Sequence, residues 1–168
     1  MELTGNNALA QQDARETVLS GWYDAYGTDV LRLCCFYLGR YADAEDAAQE
    51  TFLKAWRHME RFQGRDQRSA KAWLMKIACN TCRDHLRRAF RKHEAPSDDL
   101  SVFDRAAPED RELILDIKRL PDKYRAPILL FYLQRMNLRE TAEALRVSPS
   151  TVSRRLEKAT NILKDMCS

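Results

Sequence analysis

The sequence predicts an all-α protein: two small helical domains joined by a flexible linker, the second containing a helix-turn-helix. Three observations predict it. Apolar residues recur at steps of three and four along most of the 168 residues, the period of a helix with one buried face. Only five Gly and five Pro occur, too few for the many turns of an all-β fold. Apolar residues make up 45% and charged residues 32% of the chain, the balance of a folded, helix-rich protein. No stretch reads as a strand, and no internal repeat is present.

Residues 1–13 are polar and aperiodic and are expected to be loose. They lack the basic start and apolar centre of a secretory signal. The first helical domain is placed at 14–94. Val18, Leu19, Trp22, Tyr23, Tyr26, Val30, Leu33, Cys34, Tyr37 and Leu38 step at helical intervals. Gly27 falls within that pattern and is expected to divide it into two helices, the second capped by Thr28 or Asp29. Gly39 ends it. Asp43 is the expected N-cap of the next helix, DAEDAAQETFLKAWRHMERF, with Glu45 and Asp46 suited to the dipole of its first turn. Ala48, Phe52, Ala55, Met59 and Phe62 form its buried stripe. Asp46, Gln49, Glu50, Leu53 and Arg57 lie on a separate face, spaced as a continuous surface strip. A polar loop, FQGRDQR at 62–68, leads into a long helix at 70–88, with Trp73, Leu74, Ile77, Ala78, Thr81 and Leu86 on its apolar face.

A linker is expected at 95–107, where Pro, Ser and Asp replace the periodic pattern. The second domain, 108–168, opens with Leu113, Ile114, Ile117 and Leu120 on one helix. Pro121 opens another, in which Pro127 predicts a late start or a bend. Asn137 and Glu140 make a capping-box-like start for the next helix. Ser148 caps the last helix and Pro149 takes its first position. Between these two helices Arg146 holds a turn position usually given to Gly, with modest strain if its φ is positive.

Charge is arranged in blocks that the net +3 conceals. From Arg61 to His93 there are ten basic residues against Asp66 and Asp84 alone. A helix apolar on one side and this cationic on the other points to a polyanion partner. An acidic block, Glu94 to Asp116, follows. The pair of helices at 138–161 has helix-turn-helix spacing: Ala142 and Leu145 face inward, and Val152 and Leu156 hold the second helix down. Ser150, Thr151, Arg154, Glu157 and Lys158 then point outward. Arg154 or Lys158 can donate to a guanine edge, while Arg155 and the N-terminal amides suit phosphates.

Cys79, Cys82 and His85 stand at i, i+3 and i+6 of one helix. No second Cys pair accompanies them, so small buried cysteines are expected here and not a metal site. A thiol redox role would want a helix N-terminus to lower the pKa. Five Cys, an odd number with Cys34 and Cys35 adjacent, do not form a disulfide framework and fit a reducing cytoplasm. The longest apolar run is 128–133, far short of a membrane span. Trp22, Trp56 and Trp73 sit on apolar stripes and are expected in the core. No phosphate loop, nucleophile elbow or HExxH motif is present, and neither an enzyme nor a cofactor is expected.

The stretches DAEDAAQETFLKAW and AWLMKIACNTCRDHLRR resemble the second conserved region of bacterial sigma factors of the extracytoplasmic-function group. LPDKYRAPILLFYL and NLRETAEALRVSPSTVSRRLEKA resemble the fourth region of the same group. The resemblance covers roughly 15–93 and 108–165, in the right order. It implies an initiation subunit that gives RNA polymerase its promoter choice. Asp46, Gln49, Glu50 and Leu53 match the strip that docks on the polymerase clamp helices. The loop with Arg65, and the helix through Lys76, Asn80, Arg83, Asp84, Arg87 and Arg88, match the part that melts and reads the minus-ten element. Ser150, Thr151, Ser153, Arg154, Arg155 and Lys158 match the helix that reads the minus-thirty-five duplex. Relative to the family pattern, Ser153 and Arg154 are exchanged, so base preference does not transfer. The resemblance also implies an acidic linker threading near the polymerase channel and an anti-sigma partner, often membrane-bound. Two alternatives remain: a stand-alone helix-turn-helix regulator, and a metal or thiol redox sensor built on Cys79 and Cys82.

Overall fold

The apolar periodicity becomes seven α-helices in the computed structural model, which describes residues 2–64, 66–92 and 108–168. They are α1 (Glu2–Leu38), α2 (Tyr41–Arg57), α3 (Gln67–Arg91), α4 (Pro108–Arg119), α5 (Asp122–Ile128), α6 (Leu138–Leu145) and α7 (Pro149–Cys167). A 3₁₀ turn, Met59–Arg61, and a π turn, Leu129–Leu133, complete them. No strand occurs among the described residues, so the fold is all-α. The linker expected at 95–107 and the expected DNA contact Arg65 lie outside the described residues.

Helices α1, α2 and α3 pack against one another around Trp22, Leu33, Tyr37, Phe52, Leu74, Met75 and Cys82, all buried. Two expectations for α1 are overturned. The N-terminal residues expected to be loose are helical from Glu2, and Gly27 does not divide the helix. The Tyr23 ring lies over Gly27, 3.7 Å from where a Cβ would stand. That contact and the packing of α1 on α2 and α3 outweigh the ~1 kcal/mol that Gly costs inside a helix. Gly39 ends α1 at φ +76, the left-handed cap that glycine adopts without strain. Helix α2 begins two residues before the expected Asp43, which sits in its first turn instead. Helix α3 outruns its expected bounds by three residues at each end. Asp66 caps it, its carboxylate accepting from Ser69 N at 2.7 Å.

In the second half α5, α6 and α7 close on Tyr124, Ile128, Leu129, Ala142, Val152 and Leu156, all buried. Pro127 lies inside α5, which does not start late to avoid it, and a π turn, Leu129–Leu133, follows directly. The caps of the helix-turn-helix form as the sequence predicts. Asn137 Oδ1 accepts from Glu140 N at 2.8 Å and Ser148 Oγ accepts from Thr151 N at 3.2 Å. The reciprocal half of the capping box does not form, because the Glu140 carboxylate is turned to Arg68.

Arg146 sits at φ +56 in the left-handed region. Arg146→Gly is therefore expected to stabilise the protein by roughly 0.5–1 kcal/mol: the ~1–2 kcal/mol relieved exceeds what Gly adds to unfolded-chain entropy. Urea unfolding measures it, as a rise in midpoint at unchanged slope.

Candidate nucleic-acid interface

Three surfaces carry the residues that the sequence singles out. The first is the outer face of α2. Asp46, Gln49 and Leu53 are exposed at one-turn spacing and Glu50 is half-buried beside them. Leu53 is an apolar side chain left 54% exposed on this strip. Glu50 also has work within the fold. Its carboxylate lies 2.9 Å from His85 Nε2, 3.4 Å from Lys54 Nζ and 3.5 Å from an Arg88 nitrogen. Partial burial pushes the Glu50 carboxyl up, but the His85 and Lys54 contacts outweigh it and hold it below the usual carboxylate range.

Beside the strip runs a groove between α1 and α2 of about 450 Å³, lined among others by Leu19, Tyr23, Leu31, Phe52, Leu53 and Trp56. Sequence reasoning missed it. Trp56, expected in the core, is half-buried on its wall. Arg15, one of the residues just beyond the supposedly loose terminus, donates to the Trp56 carbonyl at 2.7 Å and sets its guanidinium 4.9 Å from the centre of that ring. An arginine one turn before the first apolar residues was the signal available for it.

The second surface is the 62–68 loop with α3. Phe62 folds back between Trp22 and Trp73, with ring centroids 5.1 and 5.4 Å away, and so ties the loop to both α1 and α3. Gly64 is packed so closely that a Cβ there would stand 2.4 Å from Ser69 Cβ and 2.6 Å from the Phe62 ring. Gly64→Ala is expected to push the loop off its aromatic anchor and cost about 1–3 kcal/mol. Thermal unfolding followed by tryptophan fluorescence reads both the loss and the change around Trp22 and Trp73.

Along α3, Asn80, Arg87 and Arg88 are exposed, and Lys76, Arg83 and Asp84 are half-buried. Asp84 lies 3.6 Å from Lys54 and 3.8 Å from Arg87. Arg83 does not face open solvent in this arrangement: its Nε lies 3.2 Å from an Asp122 oxygen on α5. Loop and helix together line one side of a cleft of about 790 Å³, with Arg61, Phe62, Gly64, Lys76 and Asn80 among the lining residues. Glu140, Glu143 and Arg146 of the second half close its other side.

Cys79 and Cys82 lie on the opposite, buried face of α3. Burial pushes the Cys79 thiol up to about 12, although Arg83 opposes it. Hydrogen bonding to Cys34, then burial, raise the Cys82 thiol. Both are held as neutral thiols, the form least able to react or bind metal. His85 turns to Glu50 instead, and no group of three or more metal-ligating side chains occurs among the described residues.

The third surface is α7. Val152, Leu156 and Ala159 are buried against α5 and α6, which leaves Ser150, Ser153, Arg154 and Lys158 exposed and Thr151 and Arg155 half-buried. Arg154 donates to Thr151 Oγ1 at 3.2 Å. That contact holds the guanidinium along the first turn of the helix, the part that enters a major groove in helix-turn-helix proteins. No described helix is long and apolar enough to cross a membrane.

Residues 22–92 match the family Sigma-70 region 2, and residues 111–160 match Sigma-70, region 4. The chain is 30% identical over 159 residues to the ECF RNA polymerase sigma factor SigW of Bacillus subtilis (strain 168), covering 84% of each chain. It is 32% identical over 154 residues to SigM of the same organism, covering 84% of this chain and 90% of that one. Among solved structures, the complex of the sigma factor RpoE with the anti-sigma factor NepR from Bartonella quintana superposes with a TM-score of 0.72. It covers 88% of this chain and 95% of that one at 18% identity, and so bears on the fold alone.

Proposed function

The chain belongs to the extracytoplasmic-function group of the sigma-70 RNA polymerase sigma factors, and on that premise we propose how its three surfaces share the work of promoter-specific initiation. Proteins of this family are initiation factors; the catalytic chemistry of transcription belongs to the polymerase. Membership sets aside the stand-alone regulator.

Asp46, Gln49, Glu50 and Leu53 dock on the core polymerase. The exposure of Leu53 supports this, since an apolar side chain left in solvent beside an apolar groove, with Gln49 one turn away, suits an interface. The 62–68 loop, including Arg65, and the face of α3 with Lys76, Asn80, Arg83, Asp84, Arg87 and Arg88 open and read the minus-ten element. Unstacking a base costs a few kcal/mol, and a polar loop beside a cationic helix offsets that cost by holding the base and the strand backbone. Ser150, Thr151, Ser153, Arg154, Arg155 and Lys158 read the minus-thirty-five element as duplex. Residues 14–94 and 108–168 form the two functional units, with 95–107 as the acidic connection. The chain works in the cytoplasm, and its partners are core polymerase, promoter DNA and an anti-sigma protein, one that can be membrane-bound; the sigma factor RpoE was solved in complex with the anti-sigma factor NepR.

The observation that supports the reading is that one chain matches both sigma regions, with the exposed strip on α2 and the basic face of α3 inside 22–92 and the outer face of α7 inside 111–160. The test is selection from a promoter library with purified core polymerase. Two enriched elements at fixed spacing, recovered only when both proteins are present, support it. Enrichment of a single duplex element by this protein alone sinks it.

A further inference from the structure

Tyr26 makes a contact that none of the assigned roles uses. It counts among the apolar steps of α1, yet it is only half-buried. Its hydroxyl donates across to α3, 3.0 Å from the Gln67 main-chain carbonyl and 3.0 Å from Gln67 Oε1. A phenol carries one proton, so it serves one of these two acceptors at a time. Partial burial first, then Asp29 and Asp66, raise the Tyr26 pKa, which keeps that proton in place across the neutral range.

The contact completes a pattern. Trp22, four residues earlier on α1, meets the Phe62 ring at a centroid distance of 5.1 Å. A four-residue step keeps two side chains on one helix face, about 6 Å apart along the axis. One face of α1 therefore touches the loop where it begins, at Phe62, and where it passes into α3, at Gln67. Between these points Gly64 packs on Phe62 and Ser69 too closely for a Cβ. Asp66, capping α3 through Ser69 N at 2.7 Å, ties the loop end to its own helix, whereas Tyr26 ties it to a second one. One turn further on, Lys71 lies 3.6 Å from Asp29, a partly exposed ion pair of the kind that contributes little. The hydrogen bond weakens steeply with distance and angle, so it fixes where the α3 end of the loop stands.

We propose that Tyr26 is a positioning residue for base capture: it sets the loop against α1 before the strand arrives, so that an unstacked base meets the loop already in its holding shape. The inference rests on the reading of the loop and α3 as the minus-ten surface. A base is available for capture only while it is out of the stack, and a loop that must first be ordered gives up part of its binding in that ordering. Tyr26 touches no base itself and acts through the backbone of Gln67. It therefore matters for opening and for base choice, and not for first contact with the duplex, which is the work of α7.

The test uses the full chain with core polymerase and a promoter recovered by the library selection. Timed permanganate reactivity at the minus-ten thymines, over a range of concentrations of the protein–polymerase complex, separates closed-complex affinity from the rate of opening. Tyr26→Phe keeps the ring and removes only the hydroxyl. The opening rate is expected to fall about fivefold, the factor that one hydrogen bond of ordinary strength supplies, while closed-complex affinity stays within about twofold. Discrimination against single-base changes in the minus-ten element is expected to shrink by a similar factor at one position only, since a promoter without the captured base gains nothing from a set loop. Equal slowing on every promoter, or loss of closed-complex affinity along with the rate, makes Tyr26 a structural residue and overturns the proposal, and so does an unchanged rate. Lys76→Ala with Arg87→Ala tests the underlying reading separately. Slowed opening in that variant supports the minus-ten surface, whatever Tyr26→Phe shows. Undiminished opening overturns that assignment and the positioning role with it.

Discussion

Leu53→Asp is expected to weaken binding to core polymerase by about a hundredfold, roughly 2.7 kcal/mol, while leaving thermal unfolding unchanged. Leu53 sits 54% exposed between Gln49 and Trp56 on the outer face of α2 and shares the groove wall with Phe52. A leucine so placed contributes little to the fold, so its replacement should cost the free protein little. At a docked interface the same change buries an unpaired carboxylate, and truncating or charging a central apolar contact costs at least ~2 kcal/mol. Anisotropy of labelled protein titrated with core polymerase, set beside a melting curve, reads both quantities. A drop in melting temperature with unchanged affinity would make Leu53 a structural residue. Glu50 is a poorer probe of the same surface. Its carboxylate is shared by His85, Lys54 and Arg88, so Glu50→Ala is expected to disturb α3 as well as the strip, whereas Gln49→Ala changes an exposed side chain of the strip.

Arg154→Ala is expected to weaken recognition of the minus-thirty-five element at one or two base pairs by about 1–3 kcal/mol. The Thr151 contact presents its guanidinium from the first turn of α7, where side chains meet base edges. Arg155, half-buried on the flank of α7, suits a phosphate, and its loss should weaken all sites alike and lower the salt dependence by about one unit. Competition binding of the protein–polymerase complex to single-base variants of the selected promoter distinguishes the two. If Arg154→Ala weakens every variant equally, Arg154 is a phosphate contact and base reading lies with Lys158 or Ser153.

What could be read from residues alone was local. The helix-turn-helix is specified by Asn137, Ser148 and Pro149 at its caps and by Arg146 at its turn, and the structure has all four in those roles. The strip on α2 follows from spacing, because three- and four-residue steps on one helix fix a shared face whatever else packs nearby. What failed depended on neighbours far away in sequence. Gly27 reads as a break, yet α1 runs through it because the Tyr23 ring and two other helices hold it. Arg83 reads as an outward cation on α3, but α5 supplies Asp122 in front of it. Glu140 reads as the second half of a capping box, but Arg68, 72 positions earlier, outbids its own helix terminus. Nothing in the period of a helix encodes such a partner. The cysteines show the converse: spacing alone raises a metal or redox reading, and burial, with Tyr37 and Cys34 nearby, holds both thiols neutral.

This chain is expected to open promoter DNA only as part of the polymerase. Permanganate footprinting of unpaired thymines on a promoter chosen by the library selection tests it most directly. Reactive thymines at the minus-ten element with this protein and core polymerase together, and none with either alone, is the expected result. Reactivity with polymerase alone, or tight protection of intact duplex by this protein alone with no thymine ever exposed, would contradict it.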